Sequence, residues 1–252
     1  MFYHFDRPGK GVAKEEKKKN LFLAFMDIVF SKFRGLFVLN LLQVAITLPL
    51  IALLAVFYRE IQPADGLVFV YYMAAILYIA VIGIPPLSVG IHYVLAQYAG
   101  MTPVFLFHDF AKAVRENIRQ SMALFAVDCV IGYMLVVNVR FYFVHQLGGS
   151  GFKMMIVAFL LIDIMAHFFL YQLMIRYRLT FGKLIQKSLF LAVLNLPQNL
   201  LALGVCCLLI GLVFTQNIVL IYLLCGTFLL SLIGLYVNLY AARVIEKYEI
   251  DQ

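Results

Sequence analysis

Residues 67–98 read LVFVYYMAAILYIAVIGIPPLSVGIHYVLAQY, a 32-residue apolar run whose only ionisable side chains are His92 and tyrosines. As one continuous helix it would be about 48 Å long. A bilayer core is about 30 Å thick and takes about 20 residues of helix. The run is therefore long enough to span a membrane and too long to do so straight. Pro85-Pro86 marks the place where it gives way, because proline removes a backbone donor and disfavours helix in the residue before it. The expectation is a span over 67–84, a break, and a second helix over 87–98. Broken helices line sites in transporters, and they are also a simple way for a chain to turn along an interface.

The rest of the chain agrees with a membrane setting. Of 252 residues, 64% are hydrophobic and 13% charged, and mean hydropathy is +0.96. Soluble domains are nearer half apolar and a quarter charged. Five more segments have the length and composition of spans: 34–57, 122–143, 153–175, 198–214 and 218–242. Pro197 opens the fifth, and Thr215, Gln216 and Asn217 form a short hairpin to the sixth. The fold class is thus all-α: a polytopic bundle of six transmembrane helices with interfacial amphipathic helices. The whole chain, 1–252, is expected to form one integral membrane domain. Its parts are a tail and interfacial helix over 1–33, the bundle over 34–242, and a second tail over 243–252.

Charge sets the orientation. Of the twenty Lys and Arg, all but Arg59, Arg140 and Lys153 fall on one side of the six spans. They lie up to and including Arg34, in the 99–121 and 176–187 loops, and after the last span. The positive-inside bias then puts both termini in the cytoplasm. The net charge of +7 reads as this orientation signal, which argues against nucleic-acid binding. Lys10, Lys14 and Lys17 to Lys19 precede any apolar segment, so the first span is expected to act as its own insertion signal rather than follow a cleaved peptide. The four cysteines, Cys129, Cys206, Cys207 and Cys225, lie within apolar runs without metal-site spacing, and read as buried free thiols.

An amphipathic stretch precedes each odd-numbered span. Phe22, Phe25, Met26, Val29 and Phe33 follow helical spacing. Phe107, Phe110, Ala111, Val114 and Ile118 repeat it, as do Phe181, Leu184, Ile185 and Ala192, with Ser188 in the remaining place. This pattern predicts helices with one apolar face, lying at the cytoplasmic interface with Lys and Arg turned outward. Thr102 and Thr180 are candidate helix starts. The same spacing fits a triplicated hairpin, or simply three basic inside loops. The second helix of the broken run, 87–98, is placed near the same cytoplasmic surface.

Ionisable groups within spans are the candidate functional residues, because each costs several kcal/mol unless paired or hydrated. Asp128 and His167 fall at the same expected depth on antiparallel spans three and four. Asp163 lies four residues before His167, on its face and deeper. Asp128, Asp163 and His167 suit a proton relay or cation site, or a hydrogen-bonded knot that fixes helix packing. As metal ligands they are an incomplete set. Asn138, Arg140 and His145 lie near the outer surface and suggest no chemistry, and Tyr236 and Tyr240 suit an aromatic belt. No phosphate loop, H-E-x-x-H or G-x-S-x-G motif occurs, so neither a catalytic residue nor a bound cofactor is expected.

Several stretches taken together resemble the YesL-like family of bacterial membrane proteins. They are FDRPGKGV at 5–12, FRGLFVLNLL at 33–42, Leu48-Pro49, IPPLSVGIHYV at 84–94, FHDF at 107–110, RENIRQ at 115–120 and LNLPQNL at 194–200. The family's turn carries small residues with a Thr where this chain has Pro-Pro-Leu-Ser. The resemblance implies a six-helix protein of the bacterial cytoplasmic membrane with no established activity. It also implies an accessory role, since such proteins are often encoded beside carbohydrate ABC importers and their regulators. The function expected is that of an accessory or assembly partner of an importer or its sensor, with Lys112, Arg115 and Arg119 as the cytoplasmic partner surface. The alternative is a small transporter or channel that uses the Asp/His cluster.

Overall fold

A computed structural model describes residues 20–62, 65–145, 148–214, 220 and 223–248. The 5–12 stretch, the basic residues before Asn20, the 215–217 hairpin, the first residues of the 218–242 span and the chain after Tyr248 lie outside the described residues. The described chain is helical, with no strand among its residues. Its α-helices are α1 (Leu21–Ser31), α2 (Phe33–Ile61), α3 (Asp65–Leu77), α4 (Pro85–Ala99), α5 (Leu106–Val139), α6 (Ser150–Arg176), α7 (Phe181–Leu194), α8 (Leu196–Phe214) and α9 (Leu230–Lys247). Wider π turns occupy Tyr78–Ile82, Arg140–Val144 and Cys225–Leu229. Five helices are long and apolar enough to cross a membrane, or six if the bent pair Leu67–Ile82 and Pro85–Ala99 is one span.

The bend in that pair is 74°, and its chemistry differs from the sequence expectation. The turn itself is made by Gly83, at φ +58° and ψ −139°, a backbone conformation open essentially to glycine and costing other residues about 1–3 kcal/mol. A Cβ there would come within 2.4 Å of Ser88 Oγ, so glycine is required for space as well. Ile84 is extended, as a residue before proline prefers. Pro85 and Pro86 then fill the first turn of α4, where a missing N–H leaves no bond unmade. The prolines start the second helix; the glycine turns the chain.

The second helix of the run is present, and its surroundings are protein: α4 is buried around most of its circumference, from Pro85 and Pro86 through Val89, Ile91 and Leu95 to Tyr98. It packs against α5, α6, α9, α2 and α1. α6 is similar over its second half, where every residue from 164 to 174 is buried. The span ending in α9 is mostly buried too, whereas α2 and α5 turn most of their apolar surface outward. Lipid tails are as apolar as Leu, so this arrangement is held by close packing and interhelical hydrogen bonds more than by the hydrophobic effect.

The amphipathic stretches divide. α1 is a separate helix, parted from α2 at Lys32, and α7 is parted from α8 at Asn195. Thr180 is the residue before α7, as expected, but α5 starts after Phe105 rather than at Thr102. The 106–119 segment is not a separate interfacial helix: α5 runs unbroken for 34 residues, about 51 Å. The stripe drawn from spacing is the buried face of α7, where Leu184, Ser188 and Ala192 are enclosed, but on α1 and α5 it is not. Ile28 is the buried residue of α1, while Phe22 and Phe33 are exposed, and on α5 Ala113 is buried while Phe107 and Ile118 are exposed. In lipid an outward Phe costs nothing, so spacing alone does not identify the inner face.

Other expectations shift in detail. All four cysteines are free, but Cys129 is exposed. Tyr240, expected in an aromatic belt, turns to protein partners instead: its hydroxyl donates to Asn199 Oδ1 at 2.6 Å and its ring meets Phe168 and Phe169. Tyr236 packs edge-on against Phe25. Asn199 in turn donates to the Leu191 and Ala192 carbonyls at 3.1 and 2.8 Å, securing the end of α7 where the chain turns into α8.

Candidate functional site

The break in the second span frees backbone carbonyls, and buried side chains from other helices satisfy them. Gln43 Nε2 of α2 donates to the Ile79 carbonyl at 3.3 Å. The Tyr171 hydroxyl of α6 donates to the Ile82 carbonyl and also hydrogen-bonds Ser88. His92 of α4 bonds the Val81 backbone. The His92 ring stacks on Tyr171, with centroids 4.5 Å apart and planes 18° from parallel. Asn238 Nδ2 of α9 lies 2.9 Å from His92 Nδ1. An amide nitrogen only donates, so Nδ1 accepts and the ring proton is on Nε2. Asn238 Oδ1 accepts from Gln172 Nε2.

The three residues singled out from the sequence lie beside this layer. His167 Nδ1 is 3.0 Å from the Asp163 carbonyl oxygen, one turn back on α6. A carbonyl only accepts, so Nδ1 carries a hydrogen. The opposite nitrogen, Nε2, is 3.4 Å from Asp128 Oδ2 of α5. Both of these atoms are buried without another hydrogen-bond partner among the described residues. Two lone pairs cannot face each other at that distance in a dry site, so a proton lies between them. The pair is an imidazolium with a carboxylate, or an imidazole with a carboxylic acid; either way it is neutral overall. Asp163 Oδ1 is 3.9 Å from Nδ1 and partly exposed.

The rings of His167 and Tyr171 are 6.1 Å apart. A row of polar side chains therefore runs from Asp128 through His167, Tyr171 and His92 to Asn238, joined at Tyr171 by ring contacts rather than hydrogen bonds, and drawn from α5, α6, α4 and α9. Among the described residues no group of His, Cys, Asp or Glu is placed to hold a metal ion. Charge does not mark Tyr171, Gln172 and Asn238 in the sequence, and His92 falls on the stretch expected near the cytoplasmic surface rather than within a span. A signal was present: Asp163, His167 and Tyr171 recur every four residues, a polar stripe on an otherwise apolar helix.

Lys112, Arg115 and Arg119 lie on the exposed face of α5 and make no ion pair among the described residues. The opposite face of α5 packs along α4, and Gln120 Nε2 ties α5 to the Leu179 carbonyl at 2.5 Å. Near the opposite end, Asn138 bonds its own helix at Met134 and Arg140 opens the π turn.

The fold and these contacts define a multi-pass helical membrane protein with a polar seam through its centre. No family model matches this chain, and neither a curated protein nor a solved structure does.

Proposed function

We propose that this protein is an accessory or assembly partner of a larger system in the bacterial cytoplasmic membrane, such as a carbohydrate ABC importer or its sensor, with both termini inside. The observation that carries this reading is the cationic face of α5. Lys112, Arg115 and Arg119 project from one unbroken helix whose other side is packed on α4. An orientation signal needs only a number of charges on one side. Three cations without an ion pair among the described residues, held in register on one helix, also suit docking to an acidic surface. The central polar groups support a scaffold as well, since most are engaged with protein partners. The resemblance to the YesL-like family leans the same way.

The test is purification from native membranes in mild detergent, with mass spectrometry of the proteins that accompany it. Stoichiometric importer or sensor subunits, released by Arg115→Glu, are the expected result. Retention of every partner by that variant would count against the surface named.

A second reading rests on the proton held between Asp128 and His167. A small transporter or channel would use Asp128, Asp163 and His167 as its relay, with Asp163 as the partly exposed member. It requires Asp163→Asn to abolish a flux in proteoliposomes at unchanged protein level; an unaltered flux would remove it.

A further inference from the structure

We infer that the notch between α1 and α2 binds the phosphate of an anionic lipid headgroup. The helical path is interrupted at Lys32, and α2 begins at Phe33 without a side-chain cap. The first residue to make the α2 ladder is Leu36, whose N–H donates to the Lys32 carbonyl at 3.0 Å. The N–H groups of Phe33, Arg34 and Gly35 are left pointing out of the helix end. Such an end attracts anions through these donors and the helix dipole together.

A second, independent feature points into the same notch. Tyr98, at the end of α4, is only 6% exposed, and it lines this cleft with Lys32, Arg34 and Gly35. Its hydroxyl reaches the first turn of α2, where a Cβ on Gly35 would come within 2.2 Å of it. No described residue accepts a hydrogen bond from that hydroxyl. The hydroxyl opens onto the notch, and a phosphate oxygen seated there would accept its hydrogen bond. Lys32 and Arg34 supply positive charge and have no ion-pair partner among the described residues.

The surroundings favour lipid over a soluble phosphate. α2 is long and apolar enough to cross a membrane, so its first turn lies at headgroup depth. Phe30 and Phe33 flank the notch and are 74% and 51% exposed, a surface suited to acyl chains. On the orientation proposed above, the leaflet is the inner one.

The experiment is native mass spectrometry of the full-length protein in detergent, with phosphatidylglycerol or phosphatidylcholine added. The wild type should retain phosphatidylglycerol in preference to phosphatidylcholine. Lys32→Gln and Arg34→Gln should each lower that retention about fivefold, as expected for one charge at a membrane surface. Tyr98→Phe, which keeps the ring packing, should lower it about threefold, the worth of one hydrogen bond. Lys183→Gln, a basic residue on another helix, should leave it unchanged. A parallel titration with inorganic phosphate separates the sources. Retention of lipid that millimolar phosphate does not displace identifies a headgroup. Phosphate binding that is lost in Arg34→Gln, without lipid retention, would keep the phosphate chemistry but overturn the lipid assignment. Equal retention of both lipids by the wild type, or equal phosphatidylglycerol retention by all four variants, would overturn the site.

Discussion

The Asn40 side chain of α2 donates to the Gly226 carbonyl at 2.7 Å and bridges the π turn ahead of α9. The same amide donates to the Cys225 carbonyl at 3.0 Å, and its oxygen accepts the Ser231 N–H at 3.0 Å. A π turn leaves backbone groups off the usual ladder, and in lipid each must be met from within the protein. One fully buried asparagine therefore both relieves the wide turn and fixes how α2 meets the last span.

Asn40→Leu should accordingly destabilise the protein by about 1–2 kcal/mol. That range reflects several lost bonds at about 0.6 kcal/mol each, the average measured between membrane helices. Thermal unfolding in detergent would show it as a lower Tm. A variant as stable as the wild type would mean that water or a backbone shift takes over all three bonds.

Asp128 and His167 should behave as a coupled unit. Removing His167 alone leaves a carboxyl group buried without its partner, and breaking a buried pair this way costs about 3–5 kcal/mol. Asp128→Asn retains a donor toward Nε2 and should cost less. A double-mutant cycle of Asp128→Asn with His167→Gln should give a coupling of about 1–3 kcal/mol. Additive effects would mean that no proton is shared between them.

Gly83→Ala tests the bend. The positive-φ backbone adds about 1–3 kcal/mol of strain, and the new methyl meets Ser88 Oγ at 2.4 Å. Adding Ser88→Ala should relieve the clash but not the backbone strain, so the double variant should recover part of the lost Tm. Full stability in Gly83→Ala alone would contradict the turn described. Loss of the Ser88 contact to Tyr171 works against recovery, so Ser88→Ala alone is the required reference.

Charge reversal on α5 is expected to act on association rather than on folding. Arg115→Glu changes an exposed side chain without an ion-pair partner among the described residues, so Tm should move by no more than about 0.5 kcal/mol equivalent. Partner recovery should fall at least about tenfold, because like charges brought together at an interface cost several kcal/mol. The comparison of Tm with recovered partner distinguishes a docking surface from a folding defect.

Much of the fold was legible because membrane spans are encoded locally. The lengths of apolar runs fix how many helices can cross and roughly where each begins, since backbone groups in lipid leave a helix as the available form. Thus the expected 34–57, 153–175 and 198–214 became Phe33–Ile61, Ser150–Arg176 and Leu196–Phe214. The i, i+4 relation of Asp163 and His167 was equally local. On α7 the spacing picked out the buried face, Leu184, Ser188 and Ala192, but on α1 and α5 it did not distinguish the inner face from the outer one. Lipid and protein interior are both apolar, so Phe22, Phe107 and Ile118 carry no mark that they face outward. Only the tertiary structure decided that α4 is enclosed by its neighbours, that α5 continues without a break, and that His92, Tyr171, Asn238 and Asn40 meet backbone and side-chain groups on other helices. Those partners lie tens to nearly two hundred residues away in the chain, and a polar group in a membrane shows its purpose only once the group it satisfies has been brought beside it.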